Sequence, residues 1–323
     1  MNDIAEKIGR LAKSLQNSEF KGRISFDFPL SSLTTYRIGG PASIMAEIGS
    51  VDDLILFLKS ARDESVPTLI LGAGSNVLFS DEGYRGAVIR LEGLFRNLAI
   101  ENNKVYAGSG LILAKLVSEC ALMGLAGIER LAGIPGTIGG AIVMNAGTFG
   151  EYMDSLLVSV DILSENLDRK TLSPGECSFG YRSSRFADSG EIILGCTMKF
   201  EPGDPSEISG EIARRRNRRQ KTQPVNMPSC GCVFRNPSPD NPAAKLIEDA
   251  GLKGMSHGGA VISGLHANYI VNENNASAKD VLYLMAEARK IVREKTGITL
   301  RSEVRLYGFE NNPEEMLDAR EKE

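Results

Sequence analysis

The stretch 127–150, GIERLAGIPGTIGGAIVMNAGTFG, constrains the fold of this chain more than any other. Glycines stand at 127, 133, 136, 139, 140, 147 and 150 among apolar residues, with a single proline, Pro135. Glycine costs backbone entropy, so such density is kept only where the chain needs positive φ or a close approach of its backbone to something else. Two readings fit. In one, Gly136-Thr137 and Gly139-Gly140 present consecutive N–H groups to an anion, at the start of a helix that begins after Pro135. In the other, the stretch is a tight packing element between a helix and a sheet. A second turn, Gly72-Ala73-Gly74-Ser75-Asn76, follows the apolar run 68–71. Two such loops in one chain point to a large phosphate-bearing ligand held from two sides.

The chain's 323 residues suffice for two or three domains with a sizeable core. Apolar content of 42% and charged content of 24% are those of an ordinary globular protein. A net charge of −4 argues against a general nucleic-acid binder. No apolar run approaches the roughly 20 residues of a membrane span, so neither nucleic acid nor membrane is expected as a partner. Residues 1–16 are charged throughout and read as an amphipathic helix, not a signal peptide. The five cysteines are an odd number and make no disulfide framework, which sets a cytoplasmic location as the expectation. With only His257 and His266, and with no HExxH, CxxC or GxSxG pattern, the sequence argues against a zinc site and a serine hydrolase, and no metal is expected. Chemistry then falls to a bound cofactor or to Cys, Arg, Glu, Lys and Tyr.

Along the chain, residues 26–33 read as extended and 42–48 as a strand. Ser50, with Asp53 three residues on, reads as a helix cap ahead of the apolar face Leu54, Leu58 and Ala61. A strand at 68–71 completes a βαβ-like unit, which predicts a parallel pair. Short strands with turns at Glu92-Gly93 and Asn102-Asn103 fill 88–107, and a helix covers 111–123. Strands are expected at 156–164 and 191–200, a linker at 202–205, and a helix with a basic end at 206–221. That end is either a solvated helix terminus or a source of one or two charges for a diphosphate. A short strand is expected at 228–237, a helix at 243–250, strand-like residues at 258–272, a helix at 277–296 and a strand carrying Glu303 at 300–307.

Side by side, these segments resemble the UDP-N-acetylenolpyruvoylglucosamine reductases of bacterial cell-wall synthesis, the MurB family. The residues that carry the resemblance are TTYRIGGPA at 34–42, LGAGSNVL at 71–78, GIPGTIGGAIVMNAG at 133–147 and GYRSSRF at 180–186. CGCVFRNP at 230–237, KLIEDAGLKG at 245–254, GGAVISGLHANYIVN at 258–272 and SEVRLYG at 302–308 follow in the family's order. The resemblance implies an α+β protein with the vanillyl-alcohol-oxidase/PCMH-type FAD-binding fold. In it residues 1–20 form an N-terminal helix, 21–83 and 84–202 are two α+β subdomains holding FAD non-covalently, and 203–310 is a C-terminal substrate-binding domain with 311–323 as a frayed tail. It further implies NADPH as hydride donor and reduction of an enolpyruvyl ether of UDP-N-acetylglucosamine to UDP-N-acetylmuramate. FAD contacts carry over to Tyr36, Arg37, Gly39, Gly72, Ala73, Gly74, Ser75, Asn76, Gly133, Ile134, Pro135, Gly136, Thr137, Gly140, Asn145 and Ala146. Substrate contacts carry over to Tyr181, Arg182, Lys221, Asn236 and His266.

Three matching positions carry the family's chemistry. Hydride arriving at the enol carbon C3 leaves negative charge on C2 and the carboxylate, and the fork of Arg182 suits that carboxylate. Glu303 matches the glutamate that steadies the enol-type intermediate. The usual proton donor is a serine in a GSxF context; here the residue is Cys232. An ordinary thiol, with a pKa of about 8.5, is mostly protonated at neutral pH and so able to donate. The alternative is that Cys232 is a small buried hydrophobe and another group supplies the proton. The spacing from Arg182 to Cys232 is too short for the inserted tyrosine loop of one subclass, so the shorter subclass is expected, as a monomer. Two rivals were weighed against this reading. A covalent-FAD oxidase is disfavoured because neither histidine lies in the predicted FAD half. An idle nucleotide-binding relative is disfavoured because Arg182, Cys232 and Glu303 are all present.

Overall fold

The computed structural model describes residues 2–148, 150–310 and 315–317. Its chain divides into two units. Unit 1 comprises 1–26, 44–73 and 86–218, and unit 2 comprises 27–43, 74–85 and 219–323. Both mix helix and strand, as an α+β chain should.

Unit 1 holds two apolar cores. The first gathers Ile8, Leu11 and Leu15 from helix α1 (Asn2–Gln16) and Leu54, Phe57, Leu58 and Ala61 from helix α2 (Val51–Asp63). Helix α2 starts where the sequence puts it, because the Ser50 Oγ accepts a hydrogen bond from the Asp53 N–H at 3.1 Å. The four-stranded sheet runs Arg23–Pro29, Pro41–Ile48, Tyr84–Leu91, Thr68–Ile70. The expected βαβ pair is therefore interrupted. Thr68–Ile70 pairs in parallel with Tyr84–Leu91, which lies between it and Pro41–Ile48. Alternation of apolar residues shows that a strand is half-buried but not which neighbour it takes, and here a later strand won the central place.

The second core of unit 1 lies between a five-stranded antiparallel sheet and two helices, α3 (Leu113–Leu122) and α4 (Ile138–Val143). The strand order is Arg169–Leu172, Leu157–Leu163, Ile192–Lys199, Lys104–Gly108, Leu98–Glu101. Of the linker expected at 202–205, Pro202 ends a short strand, Glu201–Pro202, paired with Leu125–Ala126, residues 203–204 connect, and Pro205 opens helix α5 (Pro205–Thr222).

Unit 2 is built around helix α7 (Ala278–Thr296), whose inner face buries Val281, Leu282, Leu284, Met285, Ala288 and Val292. Helix α6 (Ala243–Asp249) and the three-stranded sheet Ser256–His257, Ala260–Ile262, Ile270–Asn272 share its core. Tyr36, Ile38 and Leu78 join this core from the first quarter of the sequence. Glu303 lies outside the C-terminal strand, which is only Arg305–Tyr307 and pairs in parallel with Val77–Phe79. Residues 30–33 form a short 3₁₀ turn where extended chain was expected. Most of the expected frayed tail falls outside the described residues, but within 315–317 Leu317 is buried in the unit 2 core.

The start of α7 is capped twice over. Ser277 and Asp280 form a capping box, and the Asp81 carboxylate accepts hydrogen bonds from the N–H groups of Ala278 (2.8 Å) and Lys279 (3.2 Å). An acceptor at this end also complements the helix dipole. Asp81→Ala is expected to cost about 1–2 kcal/mol, read as a lower urea midpoint and faster hydrogen exchange in the first turn of α7. An unchanged midpoint would mean that the Ser277 box alone suffices.

Candidate functional site

The glycine-rich stretch divides into amides that are used and amides that are free. At the start of α4, the Ile138 N–H donates to Leu111 O (2.9 Å), Gly139 N–H to Ser109 O (2.8 Å) and Gly140 N–H to the capping Thr137 Oγ1 (3.3 Å). The expected donor pair Gly139-Gly140 is thus consumed within the fold, and Gly140 has no amide to offer a ligand. Helix α4 starts at Ile138, later than anticipated, and is a single short element. By contrast, the amides of Gly136 and Thr137 have no partner among the described residues, and Gly136 sits at φ 138°. In the other loop the amides of Gly72, Ala73, Gly74 and Asn76 are likewise unpartnered among the described residues. Within unit 1 the two loops adjoin, since a Cβ on Gly72 would fall 2.6 Å from Thr137 Oγ1. A buried backbone donor must find a partner, and loops of this kind are suited to phosphate oxygens.

The remaining expected cofactor residues distribute unevenly. Gly133, Ile134 and Pro135 are exposed or half-buried beside these amides, while Ala146 is buried. Gly39 (φ 133°) is packed so tightly that a Cβ there would lie 2.9 Å from Phe79 Cβ. Arg37 is exposed at φ 57°. The Tyr36 side chain is fully enclosed in the unit 2 core beside Cys230, which leaves its backbone for the expected cofactor contact. Burial pushes the Tyr36 phenol well above its ordinary range, with Cys230 a secondary cause. The same enclosure pushes the Cys230 thiol up.

Arg182 stands on a tight turn, closed by Gly180 and Ser183, that is bolted to the end of the glycine-rich stretch. Asn145, 2% exposed, does the bolting. Its Nδ2 donates to Gly180 O and to Asp154 Oδ2, both at 3.2 Å, and its Oδ1 accepts from the Asp154 N–H at 3.0 Å. Ser184 Oγ donates to Val143 O (2.8 Å), and Arg182 Nη1 donates to Gly147 O (3.1 Å). Tyr181 is 43% exposed, and its ring centroid lies 5.6 Å from the Arg182 guanidinium carbon. Asn145 (φ 40°) and Arg182 (φ 52°) both occupy the left-handed region, a strain of about 1–3 kcal/mol each that surrounding contacts must hold in place. Asn145 is therefore a bracket for the arginine loop, a role its place in the NAG motif does not reveal.

In unit 2, Cys232 and Glu303 are set by paired backbone. Glu303 N–H donates to Val233 O and Arg235 N–H to Arg301 O, both at 2.9 Å, around an antiparallel bridge of Phe234 with Ser302. Gly231, at φ 83°, turns the chain immediately ahead of Cys232. Asn76, an expected cofactor contact, donates from Nδ2 to Glu303 O (3.1 Å), while its own carbonyl accepts from the Arg305 N–H (3.1 Å). Thr35, unassigned from the sequence, links the glycine turn to the cysteine loop by donating from Oγ1 to Ser229 O (2.6 Å), with its N–H on Gly74 O (3.1 Å). Cys232 is half-buried, whereas Cys120, Cys177, Cys196 and Cys230 are buried. Tyr269, also unassigned, donates from its hydroxyl to Gln223 Oε1 (3.0 Å), which accepts Arg219 Nε at the same distance. Burial first and the neighbouring Cys232 second hold the Tyr269 phenol above its ordinary range.

Of the expected substrate contacts, Lys221 is exposed near the end of α5. Asn236 is exposed, and its Oδ1 accepts from the Ala243 N–H at 3.0 Å, so its carbonyl end is already engaged in starting α6. In the basic end of α5, Arg215 is held by Glu211 (2.7 Å) and Glu151 (2.8 Å), which makes it a structural charge. His266 is half-buried, packs edge-on to Tyr269 at 4.9 Å and has a buried, unpartnered Nδ1. No group of metal-ligating side chains occurs among the described residues.

A family model described as "UDP-N-acetylenolpyruvoylglucosamine reductase, C-terminal domain" matches residues 223–307, and one described as "FAD binding domain" matches 42–166. A UDP-N-acetylenolpyruvoylglucosamine reductase 2 from Symbiobacterium thermophilum is 39% identical over 97% of this chain and 99% of its own length. The reductase of a Synechococcus species is 42% identical over 92% of this chain and 95% of its own. The crystal structure of the enzyme from Thermus caldophilus superposes with a TM-score of 0.76 at 36% identity, covering 89% of this chain and 99% of that one.

Burial lowers the His266 pKa below its ordinary value of 6.5, with Lys253 adding to the effect. The folded state thus disfavours the proton that the unfolded chain takes up. Stability contributed by neutral His266 is complete above the ordinary value and is lost as the pH falls from there toward the lowered one. Urea midpoints measured between about pH 7.5 and about pH 5.5 should fall less steeply in His266→Gln than in the parent chain. Equal slopes would remove His266 from the acid response.

Proposed function

The chain belongs to the UDP-N-acetylenolpyruvoylglucosamine reductase family, and on that footing we propose how its residues divide the work. It is an FAD-containing oxidoreductase of peptidoglycan precursor synthesis, reducing the enolpyruvyl ether of UDP-N-acetylglucosamine. The residues fit the cofactor. Unpartnered amides at 72–73 and 136–137 would hold its diphosphate, and the absence of a side chain at Gly72 admits close approach. Bound FAD would supply the two-electron chemistry that couples NADPH to reduction of the substrate. Residues 21–83 and 84–202 serve the cofactor and 203–310 the nucleotide sugar, a division supported by the matched spans 42–166 and 223–307.

Arg182, pre-set on its strained turn, holds the substrate carboxylate and takes up charge as C3 is reduced. Cys232 holds a proton at Sγ and delivers it to C2, giving the lactyl ether. Glu303 steadies the enol-type species through a hydrogen bond made in its protonated or well-bonded form, because a bare carboxylate would repel it. Tyr181, Lys221, Asn236 and His266 complete the nucleotide-sugar contacts. The observation that carries this reading is the backbone pairing of 233–235 with 301–303, which sets the proton donor and the glutamate on neighbouring segments. The enzyme works as a cytoplasmic monomer in this reading; among the described residues no disulfide forms.

In an anaerobic titration, NADPH should bleach the flavin bands, and the enolpyruvyl nucleotide sugar alone should restore them. Restoration by oxygen alone would favour an oxidase, and a protein that takes up no FAD would sink the reading. Cys232→Ala should lose about 10²–10⁴-fold in the substrate step while NADPH still reduces the flavin, with Cys232→Ser keeping part of the rate. Near-normal turnover of the alanine variant would take Cys232 out of the mechanism.

A further inference from the structure

The segment that carries Cys232 is paired on one side by residues 301–303. On its other side stands not a strand but one side chain. Asn268 is 2% exposed. Its Oδ1 accepts the Phe234 N–H at 3.0 Å, and its Nδ2 donates to Phe234 O at 2.8 Å. Its backbone carbonyl accepts the Val233 N–H at 2.9 Å. The orientation of the amide is fixed, because the Phe234 nitrogen can only donate and its oxygen can only accept. A carboxamide so placed reproduces both hydrogen bonds of a strand neighbour, and no other common side chain of this size offers a donor and an acceptor in that plane.

We propose that Asn268 is a positioning residue for proton delivery: it clamps the backbone of 233–234 so that the Cys232 Sγ is held at a fixed depth and direction. Three hydrogen bonds hold the two residues that follow Cys232, and Gly231 turns the chain ahead of it. Asn268 therefore constrains Cys232 from its C-terminal side, as Thr35 on Ser229 O holds the loop further upstream. The same clamp fixes the rung shared with Glu303, since Glu303 N–H bonds Val233 O. A misplacement of about 1 Å in a reacting group can cost about 10²-fold in rate, so loosening the clamp acts on the proton step without touching the substrate. The proposal rests on Cys232 being the proton donor.

The test uses Asn268→Asp and Asn268→Ser in the FAD-loaded full chain, with three readouts. Stopped-flow flavin reduction by NADPH should match the parent chain, while reoxidation by the enolpyruvyl nucleotide sugar slows by about tenfold to a hundredfold. Alkylation by iodoacetamide reports Cys232, since the other four cysteines are buried. Its rate should change severalfold in both variants, with or without FAD. In Asn268→Asp the ionised carboxylate faces Phe234 O and repels it, whereas the protonated acid donates as Nδ2 did. Burial raises that acid's pKa, so reoxidation should recover as pH is lowered from about 8 to about 6. The recovery is taken relative to a parent profile that carries the titrations of Cys232, Glu303, Tyr269 and His266. Equal slowing of both half-reactions, normal reoxidation, or loss of folding in both variants would overturn the proposal. If Cys232→Ala turns over normally while Cys232 alkylation still responds to Asn268, the clamp stands and the proton-donor reading falls. An alkylation rate that does not move refutes the clamp itself.

Discussion

A folded chain must account for every buried N–H, and in this protein the accounting decides where a ligand fits. Around the start of α4 the amides of 138, 139 and 140 are each consumed by a neighbour, so this part of the glycine-rich stretch is packing. The amides at 136 and 137, and those at 72–74 and 76, are left over. The packing reading therefore holds for 138–140, while only 136 and 137 keep amides that the donor reading needs. Glycine is needed at 139, where Ser109 presses on the helix, and at 72, where Thr137 does. A substitution at either place would fail for a steric reason, although only the second adjoins the free donors.

The groups proposed to react are placed by the same kind of backbone economy. Asn145 joins three loops through one buried amide, and the strained φ of Arg182 survives because that amide and Ser184 hold the turn. In unit 2 the side chains of Thr35 and Asn76 tie the Gly74 turn to Ser229 and to Glu303. Residues assigned to the cofactor thus also set the loops that carry the chemistry. Small polar side chains, not salt bridges, make these joints. That suits the site, because an exposed ion pair contributes little and is screened, whereas a satisfied buried amide defines one geometry.

Much of this was legible beforehand. The Ser50 cap, the apolar face of α2, the helix at 277–296 and the strands at 41–48, 157–163 and 192–199 follow from local chemistry, which short sequence windows contain. What was not legible depends on partners far along the chain. The Val77–Phe79 pairing with Arg305–Tyr307, and the enclosure of Tyr36 by residues after 230, leave no periodic trace. The strand expected at 228–237 is absent because Asn268 supplies by side chain what a neighbouring strand would supply by backbone. Motif resemblance pointed to Cys232 and Glu303 as functional, but their pairing through 233 and 303 needed coordinates.

The interleaving of the two units bears on how the protein is made. Unit 2 draws Tyr36, Ile38 and Leu78 into a core otherwise contributed by residues after 229. On the ribosome those early residues emerge long before the partners that cover them, so they wait, apolar and exposed, until the C-terminal stretch is synthesised. Loop closure over such a separation is slow and entropically costly. A fragment cut at the matched span 223–307 would lack part of its own interior and leave a hole where an aromatic ring belongs. The boundary drawn along the sequence is thus not one along which the protein could be divided, and the chain folds as a unit or holds its first quarter in suspense.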